Sequence, residues 1–344
     1  MKTRAIIPIF LARKGCTQQC IFCNQQILTD TDDPLEPAQL GEYLADCLQR
    51  VKHLTSRRVE VAFYGGNFTG LPLEEQEAYL RAVAAFRADG RVAGIRISTR
   101  PDYISQDILE LALGYGVRVI ELGVQSMDQE VLRSSGRSYT PAEVRSAVRA
   151  IQAMGIDVGI HLMPGLPGDT LAKCLQSAEE IIQLQPAFVR IHPTLVLRDT
   201  PLATLYREEK YVPWPESHII EVIKTLLKRF RAAGITVARI GLQPSAALRN
   251  PKNILAGYNH PALRELCESL IFGEKMRLIA APPAGGSGQT DQPLRFVVHP
   301  QDLSKALGYE KENLKMLRNL YRKGSIVVET NPEVARGSVK LQQG

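Results

Sequence analysis

Three cysteines near the N-terminus are the residues of this chain best suited to chemistry. Cys16, Cys20 and Cys23 have the spacing C-x3-C-x2-C, so half of the six cysteines fall within eight residues. Soft thiolates select zinc, copper(I) or iron–sulfur clusters, and a cubane cluster ordinarily takes four cysteines. Three protein thiolates leave one iron of such a cluster open to another ligand. The spacing therefore indicates a cluster that takes part in a reaction.

Two other roles for these cysteines stay open at this point. A structural zinc site normally has four ligands in two pairs, and the nearest further candidates are Cys47 and His53 on a predicted helix. A purely structural role is the second alternative, although inert buried cysteines rarely cluster with polar loop residues. Disulfides are not expected, because the first apolar stretch is too short for a signal peptide and Arg13 and Lys14 follow it.

Alternating strand and helix patterns must position these cysteines. Short runs rich in valine and isoleucine indicate buried strands, and amphipathic stretches between them indicate helices. This alternation is typical of parallel strands joined by right-handed crossovers. We therefore expect an α/β fold, a partial (β/α)6 barrel in which the cysteines follow the first strand. The predicted strands are residues 5–10, 59–64, 94–98, 117–122, 157–163 and 187–192, with a seventh at 235–240, and the predicted helices are 36–52, 74–88, 104–114, 141–154 and 170–184.

Glycine and polar residues follow the predicted strands, where the chemistry of a parallel barrel collects. The second strand ends in Gly65-Gly66-Asn67, and two glycines allow the backbone to approach a ligand closely. Ser98 ends the third strand, just before the segment Thr-Arg-Pro, in which the proline disfavours helical geometry.

The fourth and fifth strands contribute further polar residues. Gln125 follows the fourth strand, and Arg137 lies on a Ser-Gly-Arg turn. His161 alternates with Gly159 and Met163 on the fifth strand, which places it on the inner side. A lone inward histidine is more often a hydrogen-bonded core residue than a catalyst, and an arginine on a turn is often a surface residue.

Together these motifs resemble those of the radical S-adenosylmethionine (SAM) superfamily. The resemblance rests first on the C-x3-C-x2-C spacing with an aromatic residue, Phe22, before the last cysteine. It implies that Cys16, Cys20 and Cys23 hold a [4Fe–4S] cluster, and that the amine and carboxylate of SAM chelate the fourth iron. One electron then cleaves SAM into methionine and a 5′-deoxyadenosyl radical. The family's fold is the same partial barrel.

The resemblance also implies a set of SAM contacts. The string Gly-Gly-Asn stands where many members have Gly-Gly-Glu, whose backbone meets the methionyl amine. Arg137 stands where relatives neutralise the SAM carboxylate through bidentate hydrogen bonds, and His161 where some relatives contact the ribose. The full set implied for SAM is Phe22, which packs near the adenine, with Gly65, Gly66, Asn67, Ser98, Gln125, Arg137 and His161.

Three longer strings resemble one branch of the superfamily. Gly-Val-Gln-Ser-Met, Met-Pro-Gly-Leu-Pro-Gly and Arg-Ile-Gly-Leu-Gln-Pro are most similar to the elongator catalytic subunit and its bacterial relatives, which modify the wobble uridine of tRNA. Oxygen-independent coproporphyrinogen III oxidases are a step further away, and their lead-in to the cysteines differs. No acetyltransferase domain is expected here. Candidate substrates are therefore tRNA, a tetrapyrrole or another small molecule, and a non-catalytic iron–sulfur or haem-binding protein on the same scaffold is the third hypothesis.

Composition shifts divide the chain into two predicted domains. Residues 1–280 form the expected barrel domain, and residues 281–293 form a turn-rich linker without periodicity. Residues 294–344 form a small α+β domain, with strands expected at 295–299 and 325–329 and helices at 303–307 and 312–323.

Charge and hydropathy limit the classes of partner that we expect. The chain has a net charge of +6, which favours an anionic partner. Residues 222–254 hold seven Lys or Arg and no acidic residue, so we expect charge reversal at Lys224, Lys228 and Arg229 to abolish any RNA binding. No apolar span is long enough for a membrane crossing, and the thiolate cluster suits reducing conditions. We therefore expect a cytoplasmic protein that binds SAM and a reducing electron donor of the flavodoxin or ferredoxin type.

Overall fold

The chain forms two compact units, Met1–Asn259 and His260–Gly344. The structure is a computed structural model, and it describes residues 4–29, 33–50, 58–243, 245–280, 294–321 and 325–342. Among the described residues no helix is long and apolar enough to span a membrane.

A parallel sheet of seven strands forms the centre of the first unit. Every neighbouring pair in it runs parallel, which confirms the predicted partial barrel and its seventh strand. The predicted strand bounds are met to within a few residues, because each strand is a short buried run that turn residues delimit. In sheet order the strands are β1 (Arg4–Phe10), β2 (Arg58–Tyr64), β3 (Gly94–Thr99), β4 (Val117–Gln125), β5 (Asp157–Leu162), β6 (Phe188–Ile191) and β8 (Thr236–Ile240).

Helices connect the strands as crossovers. The helix at residues 141–153 is an example of how the sequence specifies them. Thr140 caps its N-terminus in a capping box with Glu143, and Val144, Val148 and Ile151 lie buried along one face. The helices of this unit are α1 (Gln25–Thr29), α2 (Pro37–Arg50), α3 (Leu73–Ala88), α4 (Gln106–Gly114), α5 (Gln129–Ser134), α6 (Pro141–Ala153), α7 (Leu171–Gln183), α8 (Pro201–Arg207), α9 (Glu216–Ala232) and α10 (Ala246–Arg249).

Short elements that the sequence did not predict lie outside the regular alternation. They include α1, α5, α8 and α10, and a two-stranded antiparallel sheet of β7 (Val196–Leu197) and β9 (Ile254–Ala256). Each is too short for a periodic pattern to stand out from its surroundings. Two of them flank the cysteines: α1 begins directly after Asn24, and the backbone of Leu202 in α8 donates to the carbonyl of Ile21 at 2.8 Å.

The second unit has a three-stranded sheet with helices packed on it. Strand β10 (Leu294–Val298) is central, parallel to β11 (Ile326–Thr330) and antiparallel to β12 (Val339–Gln342). Its helices are α11 (Leu263–Ala280), α12 (Leu303–Leu307) and α13 (Glu312–Tyr321).

The boundary between the units differs from the predicted one at residue 280. Helix α11 belongs to the second unit, because its Phe272 and Met276 share a core with Phe296 of β10 and Leu317 of α13. A continuous helical pattern carries no sign of which core the helix joins. The predicted linker, residues 281–293, lies outside the described residues.

Candidate functional site

A cavity of about 700 Å³ in the first unit brings the predicted site together. Its lining comes largely from strands of the parallel sheet and from the segments that follow them. All eleven residues that the sequence singled out line this one cavity: Cys16, Cys20, Phe22, Cys23, Gly65, Gly66, Asn67, Ser98, Gln125, Arg137 and His161.

The cysteines lie on a loop, residues 11–24, that backbone hydrogen bonds hold at several points; we call it the cysteine loop. On one side it joins the end of β2, since Leu11 N donates to the Tyr64 carbonyl at 2.7 Å. On the other side Ile21 N donates to the Ser135 carbonyl at 3.3 Å, just after α5. Within the loop, Cys23 N donates to the Cys20 carbonyl at 3.1 Å. The protein therefore fixes the loop through its own contacts.

The three cysteines have free thiols at the cavity wall. Cys16 is exposed, and Cys20 and Cys23 are half-buried. Burial, together with the neighbouring Cys20, raises the pKa of Cys23 to about 12, although Arg137 acts to lower it. Gln25 Nε2 lies 3.3 Å from Cys23 Sγ and donates to it. A thiol in this setting becomes a thiolate at neutral pH when a metal centre replaces its proton.

The Gly65–Gly66 turn brings backbone to the cavity wall, beside the cysteine loop. Gly65 has φ +80°, in the left-handed region that favours glycine. A Cβ on Gly66 would lie 2.4 Å from the carbonyl oxygen of Leu11 and 2.6 Å from that of Lys14. Both glycines are required for the turn to pack against the cysteine loop.

Asn67 differs from the expectation that its amide oxygen would meet a ligand. Its Nδ2 donates to the Gly15 carbonyl at 3.0 Å. Its Oδ1 accepts from Thr99 Oγ1 at 2.6 Å and from Arg100 N at 3.1 Å, which uses both lone pairs. The side chain is 1% exposed and ties β2 and β3 to the cysteine loop. The side-chain oxygen of Asn67 therefore has no lone pair left for a ligand.

Gln125 and Ser98 have side-chain polar atoms for which the described residues provide no hydrogen-bond partner. Gln125 has φ +67°, uncommon for a non-glycine residue, and lies at a register shift between β4 and β5. Its side-chain Oε1 is buried and accepts no hydrogen bond from the described residues. Ser98 is half-buried at the cavity wall. Strained backbone and an unsatisfied oxygen together are typical of a ligand contact.

Arg137 is a buried cation without an acidic partner in the described part of the chain. It is 7% exposed, and its Nε has no hydrogen-bond acceptor there. The guanidinium lies over the ring of Phe22 at 5.5 Å and over that of Tyr139 at 5.7 Å. Two aromatic faces orient the group but do not neutralise it, so the geometry suits an anionic ligand.

His161 belongs to a buried set of polar residues centred on Glu121. Glu121 is fully buried and accepts from His161 Nε2 at 2.9 Å and from the Tyr64 hydroxyl at 2.7 Å. Arg190 Nε lies 2.7 Å from the same carboxylate, and Arg96 Nε donates to it at 3.2 Å. We call these five residues the Glu121 network. Because a carboxylate accepts only, His161 donates through Nε2 and keeps Nδ1 for the cavity.

Electrostatics keep Glu121 ionised. Burial alone would raise the pKa of Glu121, but the hydrogen bond from His161 and the charges of Arg190 and Arg96 hold it well below its usual range. Arg96 also donates to Glu60 at 2.9 Å, so the two arginines face two carboxylates. Counted together with Glu60, the Glu121 network therefore has no net charge, and the Glu121 carboxylate is satisfied from within the protein.

His192, which follows β6, lines the same cavity. Its Nδ1 lies 3.1 Å from the Gly241 carbonyl and must donate to it. Burial, with smaller contributions from His161 and Arg190, lowers the pKa of His192 to about 3. At neutral pH the ring is therefore uncharged, and Nε2 is an acceptor.

Comparison with known families identifies the chain. Residues 13–181 match the Radical SAM superfamily, and residues 186–271 match the Radical SAM C-terminal domain. The chain belongs to the radical SAM superfamily. It is therefore an enzyme, and its cofactors are a [4Fe–4S] cluster and SAM.

Two curated proteins are similar to part of this chain, and the name of the first gives a tRNA uridine as its substrate. The tRNA uridine(34) acetyltransferase of Methanocaldococcus jannaschii is 29% identical over 258 residues, 64% of this chain and 48% of that protein. Elongator complex protein 3 of Saccharomyces cerevisiae is 29% identical over 216 residues, 57% of this chain and 38% of that protein. The chain thus matches less than half the length of these relatives.

A solved structure has a similar fold. The archaeal Methanocaldococcus infernus Elp3 with an N-terminal deletion aligns with a TM-score of 0.62 at 22% identity, over 80% of this chain and 64% of that one.

The cavity fits the radical SAM cofactors on several counts. Its volume lies in the range of small-molecule sites. Three thiols border it, and Gln125 Oε1 and Arg137 Nε are buried polar atoms that still need partners. No trio of Cys, His, Asp or Glu in the described ranges converges on a single metal ion. A cubane cluster does not need such convergence, because each thiolate binds a different iron.

Sequence reasoning singled out His161 but not the rest of the Glu121 network, nor Arg239 of β8. The available signal was charge inside strands that otherwise read as buried: Arg96 in β3, Glu121 in β4 and Arg190 in β6. Charged residues are almost never fully buried unless they are paired, so several in neighbouring strands indicate an interior ion-pair network.

The three residues chosen for charge reversal do not all lie on an exposed basic surface. Lys224 is 5% exposed and pairs with Glu221 at 2.6 Å, and Arg229 pairs with Glu179 of α7. Charge reversal at Lys224 would disturb the packing of α9, so a loss of RNA binding in that variant would not locate an RNA surface.

Proposed function

We propose that this protein cleaves SAM reductively in the described cavity and uses the product to modify a nucleoside of tRNA. The observation that carries the first half is the convergence on one cavity of three thiols, two backbone glycines and buried polar atoms, Gln125 Oε1 and Arg137 Nε among them, that have no partner in the described chain. When bound, the cluster and SAM supply methionine and a 5′-deoxyadenosyl radical. The protein's part is to bind, orient and exclude water.

In this proposal Cys16, Cys20 and Cys23 are the cluster ligands. The fixed cysteine loop presents all three from one wall of the cavity, so little conformational entropy is lost when the cluster forms. Gln25 donates to Cys23 Sγ and stabilises the thiolate form. Hydrogen bonds to cluster sulfurs tune the reduction potential, which gives Gln25 a role that the motif alone does not indicate.

The SAM contacts divide between backbone and side chains. The carbonyls of the Gly65–Gly66 turn accept from the methionyl amine, and Arg137 binds the methionyl carboxylate. Gln125 Oε1 and the Ser98 hydroxyl serve the remaining polar atoms of SAM. His161 reaches the ribose through Nδ1, since Glu121 holds its Nε2. Phe22, with one face under Arg137, packs near the adenine.

The similarity to tRNA uridine(34) acetyltransferase and to Elongator complex protein 3 supports tRNA as the substrate. The net charge of +6 is compatible with a polyanionic partner. We further propose a cytoplasmic location and a flavodoxin or ferredoxin type of electron donor, because the thiolate cluster needs reducing surroundings and a one-electron supply.

Nucleoside mass spectrometry of tRNA from wild-type and deletion cells tests the substrate. We expect one modified nucleoside to disappear on deletion and to return with the wild-type gene. Cys47→Ser is the matched control, because Cys47 is a half-buried cysteine of α2 that does not line the cavity. It should restore the nucleoside, whereas Cys16→Ser should not.

The other hypotheses give different results in the same cells. An unchanged tRNA nucleoside profile with an altered metabolite pool would contradict the tRNA substrate and favour a small molecule. Purified protein should also bind tRNA with marked salt sensitivity. A salt-independent affinity, or none, would count against tRNA as the substrate.

A further inference from the structure

An arginine in the last strand of the sheet has no role in the site as described so far. Arg239 of β8 lines the cavity and is the register partner of Arg190 in β6, which is the register partner of His161 in β5. The three residues form a row across neighbouring strands, so their side chains start from the same face of the sheet. Arg190 and Arg239 thus place two cations next to each other.

Only one of these two arginines has a counter-charge. Arg190 pairs with Glu121, with Nε 2.7 Å from Oε2. Arg239 has no carboxylate within ion-pair distance in the described ranges, and its one hydrogen bond there runs from Nη1 to the Leu242 carbonyl at 3.4 Å. Glu60 and Glu121 balance Arg96 and Arg190. One positive charge, that of Arg239, is left over.

The surroundings of Arg239 within the protein disfavour the charged form of its guanidinium. Burial lowers the pKa of Arg239, and the neighbouring charge of Arg190 lowers it further. A half-buried guanidinium beside a like charge is unfavourable unless an anion neutralises it. Arg137, the other unpaired arginine of the cavity, already has the carboxylate of SAM as its partner in the proposed function. SAM has no second carboxylate for Arg239.

We propose that Arg239 anchors an oxyanion of the substrate, a phosphate or a carboxylate, at the β6–β8 side of the cavity. A guanidinium presents its donors as a planar fork that matches two oxygens of either group. Arg190 adds positive potential and is itself held in place by Glu121. Neutral His192, which also lines the cavity, contributes an acceptor for a hydroxyl or amide of the same substrate.

This inference rests on the proposed function, because it assumes that the substrate enters the same cavity as SAM. It narrows the substrate class to one that carries an oxyanion. A tRNA nucleotide would supply the oxyanion as its phosphate, and a small acid would supply it as a carboxylate. A neutral nucleoside without phosphate would supply none.

Binding measurements on the reconstituted enzyme with SAM test the proposal without any need for turnover. Isothermal titration calorimetry would compare uridine 5′-monophosphate, uridine, inorganic phosphate and acetate as probes. At least one oxyanion probe should bind wild-type protein, and its Kd should rise roughly tenfold or more in Arg239→Met, as expected for a lost charge-assisted contact. Affinity for uridine should be the same in both proteins.

Two control variants separate an anion site from a structural effect. Arg249→Met removes an exposed arginine on α10 and should bind every probe as wild type does. Arg239→Lys keeps the charge but loses the fork, so its Kd should lie between those of the wild type and Arg239→Met. Circular dichroism and thermal unfolding would establish that each variant is folded before its affinity is compared.

The probes also distinguish the source of the oxyanion. Stronger binding of the two phosphate probes indicates a nucleotide, and stronger binding of acetate indicates a carboxylate substrate. Either result supports Arg239 as the anchor, provided that binding of the probe is weaker in Arg239→Met. Equal oxyanion affinity in the wild type and a folded Arg239→Met would overturn it, as would a failure of every oxyanion probe to bind. Arg239-dependent binding with unchanged tRNA nucleosides in deletion cells would leave the anchor standing and reject only the tRNA substrate.

Discussion

The cofactor side of the cavity and the Glu121 network differ in how their polar groups are satisfied. Beside the cysteine loop, Gln125 Oε1 and Arg137 Nε are buried without partners in the described chain. In the Glu121 network one carboxylate receives hydrogen bonds or ion pairs from four neighbours, Tyr64, Arg96, His161 and Arg190. The first region holds polar groups that need a ligand, whereas the carboxylate at the centre of the second region is satisfied by the protein.

This difference distinguishes residues that bind a ligand from residues that stabilise the fold and position other side chains. Buried polar groups in native proteins nearly always have partners, so those that lack one mark where a ligand completes the structure. By this criterion Arg137 and Gln125 are binding residues, and Glu121 is a positioning residue that orients His161. Arg239 adjoins the satisfied network but resembles the unsatisfied side, because it has no counter-charge in the described ranges.

Loss of a cluster cysteine should have the largest effect on the cofactor side. Cys16→Ala, Cys20→Ala and Cys23→Ala should each lose most bound iron and sulfide after anaerobic reconstitution, because two thiolates do not hold a cubane cluster firmly. Iron and sulfide analysis with the visible absorption spectrum measures this. Cys47→Ala should load like the wild type. A variant that lost one of the three thiols and still held a full cluster would contradict the assignment.

Breaking the Glu121 network should act on stability. Glu121→Gln removes a buried charge that faces two arginines, so the free energy of unfolding should fall by about 3–5 kcal/mol. Urea unfolding monitored by circular dichroism measures the change. The exposed pair of Glu130 and Lys173 supplies the comparison, since Glu130→Gln should cost less than about 1 kcal/mol. Similar losses in both variants would contradict the interior role of Glu121.

Removal of the Arg137 guanidinium should weaken SAM binding and leave the fold intact. Arg137→Met loses charge-assisted hydrogen bonds worth about 1.5–3 kcal/mol, which corresponds to a rise in the Kd of SAM of roughly tenfold to a hundredfold. Equilibrium dialysis of SAM against the reconstituted enzyme measures it. Arg133→Met, at an exposed position of α5, is the control and should change nothing. Unaltered SAM affinity in Arg137→Met would contradict the view that the unsatisfied groups beside the cysteine loop bind SAM.

A smaller effect is expected from His192 in acid. Its folded pKa of about 3 lies below the ordinary value of 6.5, so the unfolded chain binds a proton that the folded protein does not. The contribution of His192 to stability is therefore full above pH 6.5 and is lost as the pH falls through that value. Between pH 7 and 5.5 it should amount to about 1 kcal/mol. Urea unfolding at both pH values should show a flatter dependence in His192→Gln, and an identical dependence would contradict a neutral, buried His192.

Much of the fold and of the cofactor side followed from the sequence, for local reasons. Each strand of the barrel is a short apolar run, and most of the predicted contact residues lie at a strand end or on the segment that follows it. Their order along the chain was therefore enough to predict that they come together. The Glu121 network was missed because it forms across strands, and a strand pattern does not show which inward charges meet. The short helices beside the cysteine loop and the core that α11 joins are likewise decided by tertiary packing.

The side chain of Asn67 shows the limit of carrying a motif over by position. Its place in the Gly-Gly-Asn string suggested a ligand contact, yet its amide bonds to Gly15, Thr99 and Arg100. A shorter amide in the position of a longer carboxylate can reach other partners. Position in the motif predicted the neighbourhood correctly, but the hydrogen bonds required the structure.

The release of 5′-deoxyadenosine tests the central claim most directly. Wild-type protein with a fully loaded cluster, reduced by dithionite in the presence of SAM, should form 5′-deoxyadenosine, detected by mass spectrometry, and more of it when tRNA is added. Protein with the same full cluster content that formed none, even with cell extract as a source of substrate, would contradict the account.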